Sequence, residues 1–309
     1  MEKAAVEFMK DDHFRSSAFL IIDEMVELSR RRPSVLVDEI LHSIFFLGEI
    51  NDPRYTPKHI VSDDEMFKAL RDHYPRPFEC CSSQLPKRSP FSCVLDMIVQ
   101  LTGQQNENQI INRLRQLIKR LGASNDLVSS TVCVTQKNTA EDSVRYYGVS
   151  MSTSGRNPGR IMVAASCLST WDRYVADAVM SYYPSKKRKS YFDGTIRLPE
   201  QVRCQGFSLR QVKQMDPCRS CGNLFGLTTS EKQVWSYGHC AEAESISNLL
   251  KKENEMRELV QQTSHLNTDE NRQKAKNSVS KELSHYLSMV EFKWDKEFYI
   301  PREAAEDQE

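Results

Sequence analysis

Pro217-Cys218-Arg219-Ser220-Cys221 is followed, eighteen residues on, by His239-Cys240-Ala241-Glu242, and the reading of the chain turns on these two stretches. Asp216 is a favoured N-cap and Pro217 a favoured first helical residue, so the first stretch predicts a helix start. Cys218 and Cys221 would then stand one above the other in its first turn. The second stretch opens an apolar-striped helix, expected over about 239–262, that carries Ile246, Leu249 and Leu250. Free backbone N–H groups at a helix start lower the pKa of a nearby thiol, so Cys218, Cys221 and Cys240 are placed to act as thiolates. Glu242 lies two residues past Cys240, the offset at which its carboxylate can meet a water on a metal held by that cysteine. Three thiolates with a carboxylate beside them make up the donor set of a zinc site that activates water.

Each piece has a plainer reading. A Cys-x-x-Cys also serves as a redox pair or as two buried thiols. Acidic residues in a first turn complement the helix dipole, a reading that stays open for Glu244, whereas the offset of Glu242 favours chemistry. His239 either joins the metal as a fourth ligand, which would close the site, or faces the substrate or supports the ligands from behind. Neighbouring residues at a helix start point in different directions, which favours the second role. Cys167 and Cys204 are spare candidates for a fourth ligand, although lone cysteines in apolar company are more often core. Trp235, Tyr237 and Phe225 are close enough in sequence to supply an aromatic surface, and each is equally plausible as ordinary core.

The rest of the chain falls into two grammars. Up to about Asn125 the apolar residues recur at helical spacing. A helix is expected over 17–29, closed by Arg30-Arg31-Arg32-Pro33, and a second after a Ser34 cap, with Gly48 near its end. Others are expected over 63–73 with a Ser62 cap, around 93–101, and over 107–121, while 76–90 reads as a loop. Beyond Asn125, Val128–Val134 and Val144–Met151 are rich in β-branched and aromatic residues and read as strands. Ser154–Gly159 is a turn leading to Ile161–Ala165, a third strand or the start of a helix. A helix over 171–183, a strand within 195–206 and a last helix over 269–290 complete the pattern. The expected division is a helical region over 1–125, a mixed domain over 126–300 and a disordered acidic tail over 301–309.

With 42 basic and 42 acidic residues in 309, the chain has no overall charge to draw it to nucleic acid or to an anionic membrane. Any polyanion contact needs a local patch, and the one candidate is Lys186-Lys187-Arg188-Lys189, usually a solvated loop and in a minority of cases a nucleic-acid contact or nuclear signal. The first residues lack the apolar run of a secretory signal, and no stretch has the length and apolarity to span a bilayer. Nine cysteines without a regular spacing read as reduced thiols, which points to the cytosol, with the nucleus as the alternative.

Pro-Cys-x-x-Cys together with Cys-Ala-Glu resembles the signature of the cytidine deaminase-like superfamily, which pairs a [His/Cys]-x-Glu helix start with a Pro-Cys-x-x-Cys helix start around one zinc. The close likeness covers residues 216–250. It implies that Cys218, Cys221 and Cys240 hold the zinc and that Glu242 shuttles a proton from water to the leaving amine. It also implies a three-layer α/β/α sandwich after the helical N-terminal region, and a nucleobase, nucleoside or polynucleotide base as substrate. One departure stands out: the Glu-bearing motif follows Pro-Cys-x-x-Cys here, whereas in the family it precedes it. That order implies a circular permutation or a converged site. The alternative is a non-catalytic interaction protein, of host defence for example, in which zinc staples two helices and the N-terminal region binds a protein partner. A helical scaffold with free thiols ranks last.

Overall fold

The computed structural model describes residues 13–30, 35–122, 126–153, 155–262 and 264–304. The N-terminal segment 1–12, the Ser34 cap with Arg31-Arg32-Pro33, the boundary at Asn125, Ser154 of the expected turn and residues 305–309 of the acidic tail lie outside them. Among the described residues seven helices come first: α1 (His13–Ser29), α2 (Val35–Glu49), α3 (Pro57–Ile60), α4 (Asp64–His73), α5 (Pro75–Cys80), α6 (Pro90–Thr102) and α7 (Glu107–Leu121). Then come β1 (Thr131–Gln136), β2 (Tyr146–Val149), α8 (Arg156–Ser169), α9 (Arg173–Met180), β3 (Ile196–Arg197), β4 (Arg203–Ser208) and β5 (Gln214–Met215). The chain continues through α10 (Arg219–Phe225), α11 (Ala241–Lys252), α12 (Asn254–Leu259), β6 (Gln261–Gln262) and α13 (Asp269–Met289). The protein is therefore mixed helix and sheet, as expected, and its sheets are small and antiparallel. Among the described residues no helix is long and apolar enough to cross a membrane.

Several expectations shift for local reasons. Asp63, not Ser62, caps α4, its carboxylate accepting the Met66 N–H at 2.7 Å. The expected loop 76–90 begins with helix α5, because proline is tolerated in a first turn and Phe78 gains a seat against Phe45 and Phe67. Ile161–Ala165 belongs to helix α8 rather than to a third strand. The expected helix 239–262 is three elements, α11, α12 and β6. Its break falls at Glu253, whose carboxylate takes a 2.7 Å hydrogen bond from the Tyr146 hydroxyl. The chain then leaves helical geometry so that Gln261 and Gln262 can pair with Arg197 and Ile196.

The main sheet runs β2-β1-β4-β5. Because side chains alternate across a strand, Cys133 and Thr135, Tyr146 and Gly148, and Cys204 and Gly206 share one face. Helix α11 lies on that face, with Thr135 donating to Ser245 at 2.8 Å. The opposite face meets the first helices: Tyr147 donates to the Gln104 carbonyl after α6 at 2.8 Å, and Glu107 of α7 takes two hydrogen bonds from Arg203. Buried apolar side chains of both grammars, from Phe14 to Phe292, form one continuous cluster.

The fit of α11 depends on Gly148. A Cβ there would lie 2.3 Å from the Ser245 nitrogen and 2.6 Å from the Ala241 carbonyl, closer than any side chain can approach backbone. The Glu244 carboxylate completes the join by accepting the Val149 N–H at 2.8 Å.

A second tie links the two ends of the chain. Tyr299 stacks on His42 with ring centroids 3.7 Å apart and donates to Asp38 at 2.6 Å, while the Arg302 N–H reaches the same carboxylate. His42 is fully buried, and among the described residues neither ring nitrogen has a partner in hydrogen-bond geometry. Burial lowers its pKa from 6.5 to about 3.

Gly148→Ala should cost about 1–3 kcal/mol and lower the melting temperature, since backbone must move to admit the methyl group; an unchanged melting temperature would show that α11 is not seated on β2. His42 sets the sign of an acid effect. Between pH 6.5 and about 3 the unfolded chain binds a proton there that the folded chain refuses, so stability falls as pH falls through that window. His42→Phe keeps a ring on Tyr299 and removes the titration, so its urea midpoint should drop less than that of wild type between about pH 7 and about pH 4. Equal drops would assign the acid sensitivity to other groups.

Candidate metal centre and its cavity

Helices α10 and α11 bring their N-terminal ends together. Cys218 is the N-cap of α10 and Cys240 the N-cap of α11, both in extended backbone, and Cys221 sits in the first turn of α10. The Asp216-Pro217 start expected from sequence is thus displaced by two residues. Asp216 instead accepts from the Ser230 hydroxyl at 3.0 Å, and the Pro217 carbonyl accepts from Thr229. These bonds fold the segment after α10 back over its start and leave the cap position to a sulfur. Just before the second sulfur, Gly238 takes a left-handed conformation (φ 85°), and a Cβ there would strike Val163 and Val179.

The Cys218 sulfur lies 3.6 Å from that of Cys221 and 3.2 Å from that of Cys240, and all three fall within 4.8 Å of one another. A tetrahedral thiolate site with metal–sulfur bonds of about 2.3 Å places its sulfurs about 3.7 Å apart, so small adjustments would admit an ion. Hydrogen bonding with the sulfurs of Cys221 and Cys240, followed by the N–H groups of Ser220 and Cys221, holds Cys218 well below its usual thiol pKa. The contact with Cys218, with burial added, pushes Cys221 and Cys240 above theirs. One sulfur is thereby prepared as a thiolate, and the cluster could hold a metal ion.

Around these sulfurs lies a cavity of about 390 Å³. Cys218, Cys240, Glu242, His239 and Trp235 line it, together with Asp216 and the ends of β1 and β2 at Thr131 and Ser150. Glu242 is only 6% exposed, and burial raises its carboxyl to about 7. His239 packs its ring over Gly159, where a Cβ would come within 2.7 Å of it, and its carbonyl accepts the Met151 N–H at 2.9 Å. Burial, reinforced by Arg160, lowers the imidazole to about 4, so it is neutral near pH 7. It lines the cavity and does not join the sulfur cluster.

The remaining sequence candidates divide. Trp235 is 57% exposed at this cavity. Tyr237 is buried, stacked on Tyr182 at 3.9 Å with its hydroxyl accepting from Asn223, and lines an adjoining cavity instead. Phe225 is core. Cys204 sits 3.5 Å from Cys133 on the sheet, and Cys167 is buried in α8; neither belongs to the cluster. In the basic run Arg188 pairs with Asp193, Lys189 donates to the Met180 and Tyr183 carbonyls, and Lys186 donates to Val234. Sequence reasoning missed Thr131, Ser150 and Asp216 as cavity walls, because strand ends reach the site only through sheet pairing.

Comparisons with protein-family models, with curated proteins and with solved structures return no match.

If the three sulfurs form one site, the purified chain should retain a soft divalent metal through dialysis, and Cys218→Ser or Cys240→Ser should release it. Cys167→Ser and Cys204→Ser should retain it. Elemental analysis of the four variants decides, and loss in all four or in none would remove the cluster as the site.

Proposed function

We propose that the cluster binds zinc and that the protein is a zinc-dependent hydrolytic deaminase-like protein acting on a nucleobase, free or within a nucleoside or polynucleotide. The observation that carries this reading is a three-sulfur cluster, two of whose members, Cys218 and Cys240, open on one cavity together with a buried carboxylate, Glu242. The donor set suits the ion, since zinc accepts three thiolates readily and a catalytic site keeps its fourth position free of protein. Among the described residues no His, Cys, Asp or Glu completes the cluster as a fourth member. Bound there, zinc would supply a Lewis acid able to make water nucleophilic near neutral pH.

The chain's own residues would do the rest. Glu242 receives a proton at its carboxylate and returns it to the departing amine, a role that calls for a buried carboxyl beside the reacting atoms. A cavity of about 390 Å³ is within the usual range for small-molecule sites and is roomy enough for one base. Trp235 at its edge offers an aromatic face for stacking. Neutral His239 and the hydroxyls of Thr131 and Ser150 supply polar contacts to a heterocycle.

The layering is compatible with the α/β/α sandwich of the deaminase-like superfamily, since α11 lies on one face of the sheet and α6–α7 on the other. The reversed motif order fits because both ligand-bearing segments contribute only a helix N-terminus, so either can come first in the chain. A reducing compartment such as the cytosol keeps the thiols available.

Ammonia release from a panel of nucleobases, nucleosides and oligonucleotides tests the proposal. Wild type should turn over at least one member, and Glu242→Gln should retain zinc while losing about 10²–10⁴-fold in rate. Equal rates would remove Glu242 as the shuttle. No turnover together with four protein ligands by X-ray absorption would favour the non-catalytic reading, in which the ion staples α10 to α11.

A further inference from the structure

A second cavity, of about 470 Å³, adjoins the first and shares Ser236 and His239 with it. Its other lining includes Arg156, Arg160, Lys186 and Tyr237, and no acidic side chain lines it. Elsewhere in this protein Arg88 meets Glu39 and Asp96, Arg203 meets Glu107 and Arg272 meets Asp177, whereas Arg156 and Lys186 are exposed and Arg160 half-buried around a hollow with no acid in its lining. Three cations around one concavity without a carboxylate repel one another, and an anion seated among them would reverse that cost.

Two of the three are also fixed in place. The Arg160 guanidinium lies 4.9 Å from the centre of the Tyr286 ring, a cation–π contact that holds it at the cavity wall. Lys186 is anchored by the Val234 carbonyl at 2.5 Å. Arg156 opens the fourteen-residue helix α8, which Gly155 caps with no side-chain hydrogen bond. The first-turn N–H groups there add to the positive field.

We propose that this cavity is a phosphate site and that the substrate is a nucleotide, free or in a single strand, whose phosphate sits among Arg156, Arg160 and Lys186 while its base enters the cavity at the cysteines. The assignment rests on the nucleobase reading above, and it narrows it by excluding unphosphorylated bases and nucleosides as good ligands. His239 and Ser236 stand where the sugar would cross from one cavity to the other. Of the run Lys186–Lys189 only Lys186 lines the cavity, while Arg188 and Lys189 are committed to Asp193 and to backbone carbonyls.

Binding of cytidine and adenosine, their 5′-monophosphates and short single-stranded oligonucleotides of each base tests the proposal, measured by calorimetry on the metal-loaded chain. A phosphate-bearing ligand should bind at least about tenfold more tightly than its nucleoside, and each arginine removed should cost about tenfold, the value of one charge-assisted hydrogen bond. Arg156→Gln/Arg160→Gln should also flatten the salt dependence while leaving circular dichroism and metal content unchanged. Tight monophosphate binding would identify a free nucleotide, and tight binding of the oligonucleotide alone a single strand; either supports the site. Equal affinity for nucleoside and phosphorylated forms, or undiminished binding by the double variant, overturns it. Should the variant fold poorly, competition by inorganic phosphate against the bound nucleotide in wild type decides the same point. Phosphate-dependent binding without ammonia release would instead sink the deaminase reading and leave the phosphate site standing.

Discussion

The site depends on a contact between two backbones. Helix α11 can lie on the sheet as closely as it does because β2 presents Gly148 where any side chain would meet the Ser245 nitrogen and the Ala241 carbonyl. That approach fixes the depth and the rotation of the helix. It places Cys240 at the cap, turns Glu242 toward the cavity and leaves Glu244 free to accept the Val149 N–H. Thr135 and Ser245 pin the same helix half a turn further along, and Tyr146 stops it at Glu253. The sheet is therefore less a core in itself than a platform for one helix end.

The second helix end is brought in differently. Helix α10 has seven residues, too few to hold its place by propensity, and its start is organised by the segment that follows it. Thr229 and Ser230 fold back onto Pro217 and Asp216, and Ser220 takes the Trp235 carbonyl at 2.7 Å. The chain between the two motifs thus spends its hydrogen bonds aligning them. Where the two ends meet, sulfur replaces the oxygen of an ordinary N-cap residue, so the free N–H groups that a serine or aspartate would satisfy are left to favour a thiolate.

Much of this was legible in the residues. The stripes of α2 and α7 and the β-branched runs of β1 and β2 carry their own periods, and the three cysteines and Glu242 announced themselves by spacing. What stayed hidden depends on contacts far apart in sequence. Nothing near Asp216 tells that Ser230 will claim it and shift the helix start. Nothing near Glu253 tells that Tyr146 will break a helix whose apolar stripe continues. Tyr237 stands beside Trp235 in sequence, yet Tyr182 and Asn223 turn it to the other cavity. No spacing in the sequence joins Arg156 and Arg160 to Lys186, since they form a patch only where α8 meets the segment following α9.

The tie between Tyr299 and the pair Asp38–His42 spans 261 positions of sequence for its hydroxyl bond alone. The hollow around His42 is therefore filled by residues far along the sequence, with Leu85 pairing Phe298 beside it. The clasp by residues 298–302 thus covers a face of α2 that its neighbours in sequence leave uncovered, so a cut before Trp294 would uncover Asp38 and His42 without touching the cysteine site.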